Sequence, residues 1–131
     1  MNEDIRWQQR KENFDRAFNT LKDGFSHKPA SKLEEAGLIK CYELTFELAW
    51  KTLKDFLAFQ GHEVRYPRET IKKAFEQELI KDGHLWIQML EDRNLLAHTY
   101  NEEQVQDALV KIKNEFLPGL VQVHETLSSL S

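Results

Sequence analysis

Apolar residues along the chain recur every three or four positions, so the pattern predicts helices throughout. Between Ile5 and about Phe25, the residues Trp7, Phe14, Ala17, Phe18, Leu21 and Phe25 fall at helical spacing, while Arg10, Lys11, Asp15 and Lys22 take the other face. Gly24 to Ser31, containing Ser26-His27-Lys28-Pro29, interrupts that register as a loop. A longer helix is expected from about Leu33 to Gln60. Its stripe is Leu38, Tyr42, Phe46, Ala49, Leu53 and Phe56, with Leu44, Leu48 and Trp50 outside it, so it should be the central, most buried element. Gly61 supplies a C-terminal stop, and Pro67 suits the first position of a short helix through about Leu79.

The turn Lys81-Asp82-Gly83 precedes a fourth helix beginning near His84, whose seam is Trp86, Met89, Leu90, Arg93, Ala97 and Tyr100. Asn101, with Gln104 three positions on, has the form of a reciprocal N-terminal cap. It opens a last helix carrying Val105, Ala108, Leu109, Ile112 and Phe116. Pro118-Gly119 should kink or restart that helix, because proline removes a helix hydrogen bond and clashes with the preceding turn. Leu120, Val123, Leu127 and Leu130 then continue the register.

No run alternates as a strand would, and the connections are short. The expected fold is all-α: an up-and-down antiparallel four-helix bundle with an additional short helix, residues 1–131 forming a single domain. Hydrophobic residues at 40%, charged residues at 31% and only five Gly and three Pro agree with it. The net charge of -4 argues against coating nucleic acid by bulk charge, yet a local basic patch remains open. Arg65, Arg68, Lys72 and Lys73 are the one local basic concentration and the candidate phosphate contacts, although Glu69, Glu76 and Glu78 let the same helix be read as an exposed surface of mixed charge. A single cysteine, Cys41, an acidic N-terminus and the lack of a membrane-length apolar run lead to the expectation of a reduced, cytoplasmic protein with no membrane partner.

Several chemistries fail on spacing. The glycines are scattered, the five histidines lack zinc-ligand spacing, and no Asp-x-Asp pair is present, so no metal or other cofactor is expected and the chain is not itself an evident nucleotidyltransferase. What remains is concentrated in Arg93-Asn94-Leu95-Leu96-Ala97-His98-Thr99-Tyr100. On one continuous helix Arg93 and Tyr100 share a face, Asn94 and His98 share another, and Arg93 and His98 stand about 140° apart. Either the helix ends between them or two copies of the chain assemble the site across a two-fold axis. Each residue also has a plain structural reading: an arginine bound to a bundle carboxylate, a helix-terminal histidine, a half-buried tyrosine with a wet hydroxyl. Glu43 and Glu47 share a face of the central helix. With Lys51 four residues on, Glu47 can form a helical ion pair, or one of these carboxylates can reach Arg93 across the bundle.

The octet resembles the Arg-x4-His-x-Tyr motif of HEPN-domain proteins, in the form found in the small family once called nucleotidyltransferase substrate-binding proteins. Tyr42-Glu43-Leu44-Thr45-Phe46-Glu47-Leu48-Ala49-Trp50-Lys51-Thr52-Leu53-Lys54-Asp55, the Pro67-Arg68-Glu69 helix start and Leu85-Trp86 are similar to that family as well. The resemblance implies a helical homodimer paired with a separately encoded minimal nucleotidyltransferase, the two forming a toxin-antitoxin module. It implies a metal-independent endoribonuclease in which Arg93 stabilises charge on the pentavalent phosphate, His98 acts as general acid or base for the ribose 2′-hydroxyl, Asn94 orients the site, and the partner silences it by adding AMP to Tyr100. Glu91 and Asp92, beside Arg93, would repel RNA unless turned from the cleft. The older family name implies an alternative, a non-catalytic subunit that binds substrate or nucleotide for the transferase.

Overall fold

The computed structural model describes the backbone of residues 2–96 and 101–131, and the side chains of all of these except 94–96. The elements are α1 (Asn2–Gly24), α2 (Lys32–Phe59), α3 (Pro67–Glu76), α4 (Gly83–Leu96), α5 (Glu102–Lys111) and α6 (Leu117–Leu130), with a π turn (Ile112–Phe116) joining α5 to α6 without a break. Among the described residues there is no strand.

Antiparallel packing follows from which residues meet. Near the start of α1, Trp7 packs edge-on against Phe56 at 4.7 Å and Arg10 Nε donates to Asp55 Oδ2 at 3.0 Å; later in α1, Ala17 lies against Cys41. The α5–α6 rod runs back along α4, bringing Lys111 to Asp92 and Gly119 beside Leu85. It also closes on α1, where His124 stacks on Phe18 at 4.4 Å. The result is the up-and-down bundle, with α3 as the added short helix against α2 and α4. As its apolar faces predict, α2 is central and touches every other helix. Its stripe residues Leu38, Tyr42, Phe46, Ala49, Leu53 and Phe56 are all buried.

The helix ends have local causes. Ser31 Oγ accepts the Glu34 N–H at 3.1 Å, which caps α2. At the other end Gly61 sits at φ 94, with the His62 N–H on Leu57 O at 2.8 Å and its own N–H on Ala58 O at 3.0 Å, a closure that needs the left-handed region. Pro67 opens α3, and the Glu69 carboxylate turns back to accept the backbone N–H groups of Tyr66, at 3.2 Å, and Arg65. Those two bonds hold its carboxyl below the usual range.

One boundary differs from the sequence reading. The short helix stops at Glu76 instead of Leu79, because the Leu79 N–H closes on Ala74 O at 2.9 Å and the Glu78 N–H on Phe75 O at 3.1 Å. This is the same closure as at Gly61, but the left-handed residue is Glu78, at φ 63. Leu79 and Ile80 are buried beyond the turn, so their apolar character continued the periodicity past the real end. Glu78→Gly should therefore stabilise the protein by roughly 0.5–1 kcal/mol, the left-handed penalty less glycine's greater unfolded-state freedom. A urea midpoint that falls in this variant would contradict the assignment.

At Pro118-Gly119 the helix restarts as expected without leaving the rod: α6 begins at Leu117, with Pro118 in its first turn. The turn before it widens, the Leu117 N–H bonding to Ile112 O, five residues back. The wider turn accommodates the proline and leaves Ile112, Phe116, Leu120, Val123 and Leu127 buried on one side, while Leu130 is 48% exposed and lies beyond the core.

Candidate functional site

Arg93 projects from α4 toward α2, and its Nη1 donates to Glu47 Oε1 at 2.5 Å. Glu47 also accepts the indole N–H of Trp50 at 3.1 Å and has Lys51 Nζ at 3.7 Å. Both expected pairings of this carboxylate therefore form together, the helical one with Lys51 and the cross-bundle one with Arg93. The side chains of Arg93 and Glu47 are 33% and 37% exposed. At that exposure the pair adds at most about 1 kcal/mol to stability, and its effect is chiefly to fix where the guanidinium points. A guanidinium has five N–H donors, so contact at Nη1 leaves others able to meet an anion, which must then compete with Glu47.

The acids flanking Arg93 are occupied too. Asp92 accepts from Lys111 Nζ at 2.6 Å, and that ammonium lies 5.6 Å from the centre of the Phe116 ring; Glu91 faces Arg68 at 3.6 Å. Asn94 follows Arg93 in α4, and its side chain lies outside the described residues, as do His98 and Tyr100 entirely. Asn101 caps α5 as expected, its Oδ1 accepting the Gln104 N–H at 2.8 Å.

In the basic segment Arg65 faces Glu63 at 3.8 Å, Arg68 faces Glu91, and Lys73 faces Glu76 at 3.0 Å, while Lys72 is exposed. The surface is one of mixed charge. Among the described residues no group of three His, Cys, Asp or Glu is placed to hold a metal ion, and no helix is long and apolar enough to cross a membrane. On the outer face of α2, Leu44 is 54% exposed between two shallow grooves of about 470 and 410 Å³ that share Cys41. Burial pushes the Cys41 thiol up, partly opposed by its hydrogen bond with Thr45.

Beneath the site, Tyr42 stacks on Phe116 at 5.6 Å, and its hydroxyl is buried with no hydrogen-bond partner among the described residues. Burial first, then the charges of Asp92 and Glu43, push this phenol well above its ordinary range. The sign is that of a raised folded-state pKa: the contribution to stability is complete below the unfolded tyrosine's pKa near 10 and is lost as pH rises above it. Tyr42→Phe removes an unpaired buried hydroxyl and should leave stability unchanged or raise it by about 1 kcal/mol at neutral pH, with a larger gain at alkaline pH. Chemical denaturation at two pH values tests both parts.

Residues 9–129 match the family described as nucleotidyltransferase substrate binding protein like. The chain belongs to this family. A Thermus thermophilus protein of known crystal structure is 30% identical, with a TM-score of 0.73, the match covering 88% of this chain and 96% of that one. A Haemophilus influenzae protein, described as revealing the fold of a substrate binding domain of a nucleotidyltransferase, is 23% identical with a TM-score of 0.75, covering 90% and 98%. At that identity the second likeness speaks for the fold. Among curated proteins no match was found.

Proposed function

We propose that the chain is a non-catalytic subunit that binds substrate or nucleotide for a separately encoded nucleotidyltransferase. Its family membership over residues 9–129 carries this reading. The engagement of Arg93 by Glu47 supports it, because a guanidinium already facing a carboxylate suits a binding and orienting role better than an unopposed cation for a pentavalent phosphate. In this role Glu47 holds the orientation of Arg93, the remaining donors of the fork take an anionic group of the ligand, and the transferase chain supplies the chemistry. Mixing the purified chain with its transferase should give a stable complex that binds nucleotide or substrate, and Arg93→Gln should weaken ligand binding about tenfold without dissociating the complex. Failure to form any complex would overturn the reading.

A second reading rests on Arg93, His98 and Tyr100 in their spacing. A HEPN-type endoribonuclease toxin, homodimeric, would use Arg93 and His98 on RNA, with Asn94 orienting the site and Arg65, Arg68, Lys72 and Lys73 along the RNA path. The minimal nucleotidyltransferase would silence it by adding AMP to Tyr100. Co-expression with that transferase followed by peptide mass spectrometry tests it: AMP additions that vanish in Tyr100→Phe favour the toxin, and an unmodified Tyr100 speaks against it.

A further inference from the structure

A third cavity, of about 450 Å³, opens where the first turns of α1 meet the C-terminal end of α2 and the loop after it. Arg6, Lys54 and His62 line it together with Ala58 and Val64. Lys54 and His62 are half-buried, and neither of these side chains, nor that of Arg6, meets an acceptor among the described residues. That sets Lys54 apart. Among the described residues every other buried or half-buried lysine or arginine faces a carboxylate: Arg10 on Asp55, Lys11 on Asp15, Lys51 and Arg93 on Glu47, Lys73 on Glu76 and Lys111 on Asp92. An ammonium that lines a cavity without a counter-charge, its Nζ still open to solvent there, is free to take an anion from outside.

The acids of the same cavity do not supply it. Asp55 is held by Arg10 at 3.0 Å and Glu63 by Arg65 at 3.8 Å, which leaves Glu3, exposed in the first turn of α1. We infer that this cavity binds a small phosphate ester, its phosphate held by Lys54, Arg6 and His62 and its body resting on Ala58 and Val64. Phosphate suits a mixed set of ammonium, guanidinium and imidazole donors, and a volume of about 450 Å³ lies within the range of small-ligand sites, with room beyond inorganic phosphate. The site is separate from Arg93: Lys54 lies seven residues along α2 from Glu47, about 10 Å at helical rise.

The test uses the full chain alone, titrated at low salt with inorganic phosphate, ribose 5-phosphate and AMP and followed by calorimetry. Saturable binding is expected, tighter for the two esters than for inorganic phosphate. Lys54→Gln and Arg6→Gln should each weaken it about tenfold, the loss of one charge-assisted contact. Lys113→Gln, removing an exposed cation elsewhere, should leave it unchanged. Because Lys54 has no partner to lose among the described residues, Lys54→Gln should melt no lower than the parent chain. Absence of saturation, or an equal weakening by Lys113→Gln, would overturn the proposal.

Discussion

Replacing Trp86 with alanine is expected to lower the unfolding free energy by about 4 kcal/mol, the scale for deleting a large buried aromatic and leaving its cavity. Trp86 is fully buried, lies 5.7 Å from the ring of Phe46 on α2, and faces Gly119 on α6, so one side chain ties α4 to two neighbours. A Cβ on Gly119 would come 2.8 Å from Leu85 and 3.6 Å from the Trp86 indole nitrogen, which shows how closely α6 approaches there. Trp86→Phe should cost much less, below about 2 kcal/mol, because it keeps a ring and removes an indole N–H that has no partner among the described residues. Urea unfolding followed by circular dichroism separates the two variants. Equal costs would mean that packing against Phe46 contributes little.

The second large effect is expected at Asp15. Its carboxylate accepts Lys11 Nζ at 2.9 and 3.2 Å and faces His124 Nε2 at 2.9 Å, joining α1 to α6. The Lys11 side chain is only 11% exposed, so Asp15→Ala leaves an ammonium almost without water or counter-charge. A fully buried broken pair costs about 3–5 kcal/mol; with Asp15 itself 29% exposed the expected loss is about 2 kcal/mol. Adding Lys11→Met in the same chain should recover most of it, since the stranded charge is then gone. A double variant no more stable than Asp15→Ala would instead locate the loss in the His124 contact.

The stripes of α1 and α2 were legible because each is a long run with a dominant apolar face, and the residues that the spacing selects are buried. Lys11, read on the opposite face, and Trp50, read outside the stripe, are buried as well, because neighbouring helices cover more than one face. The boundary after α3 was not legible, since Glu78 adopts a conformation that a sequence announces only when glycine occupies it. Pro118 announced the restart of the rod, but the means of it, a widened turn, lies in the residues before the proline and carries no signal of its own. At the site, the sequence offered Glu47 to both Lys51 and Arg93, and the crossing of α2 and α4 joins it to both across 4 and 46 positions. Periodicity assigns a face to each helix but not the rotation that brings two faces together. The same limit hid Asp15 with His124, and hid Arg6, Lys54 and His62, whose common property is that none meets an acceptor among the described residues, which only the assembled bundle reveals.

The central claim, a binding subunit that does no chemistry of its own, is tested most directly by incubating the purified chain with RNA and resolving the product ends. Uncut RNA, alongside a stable complex with the transferase, is the predicted result. Fragments ending in 2′,3′-cyclic phosphate that disappear in both Arg93→Ala and His98→Ala would contradict it and assign the protein to the nucleases.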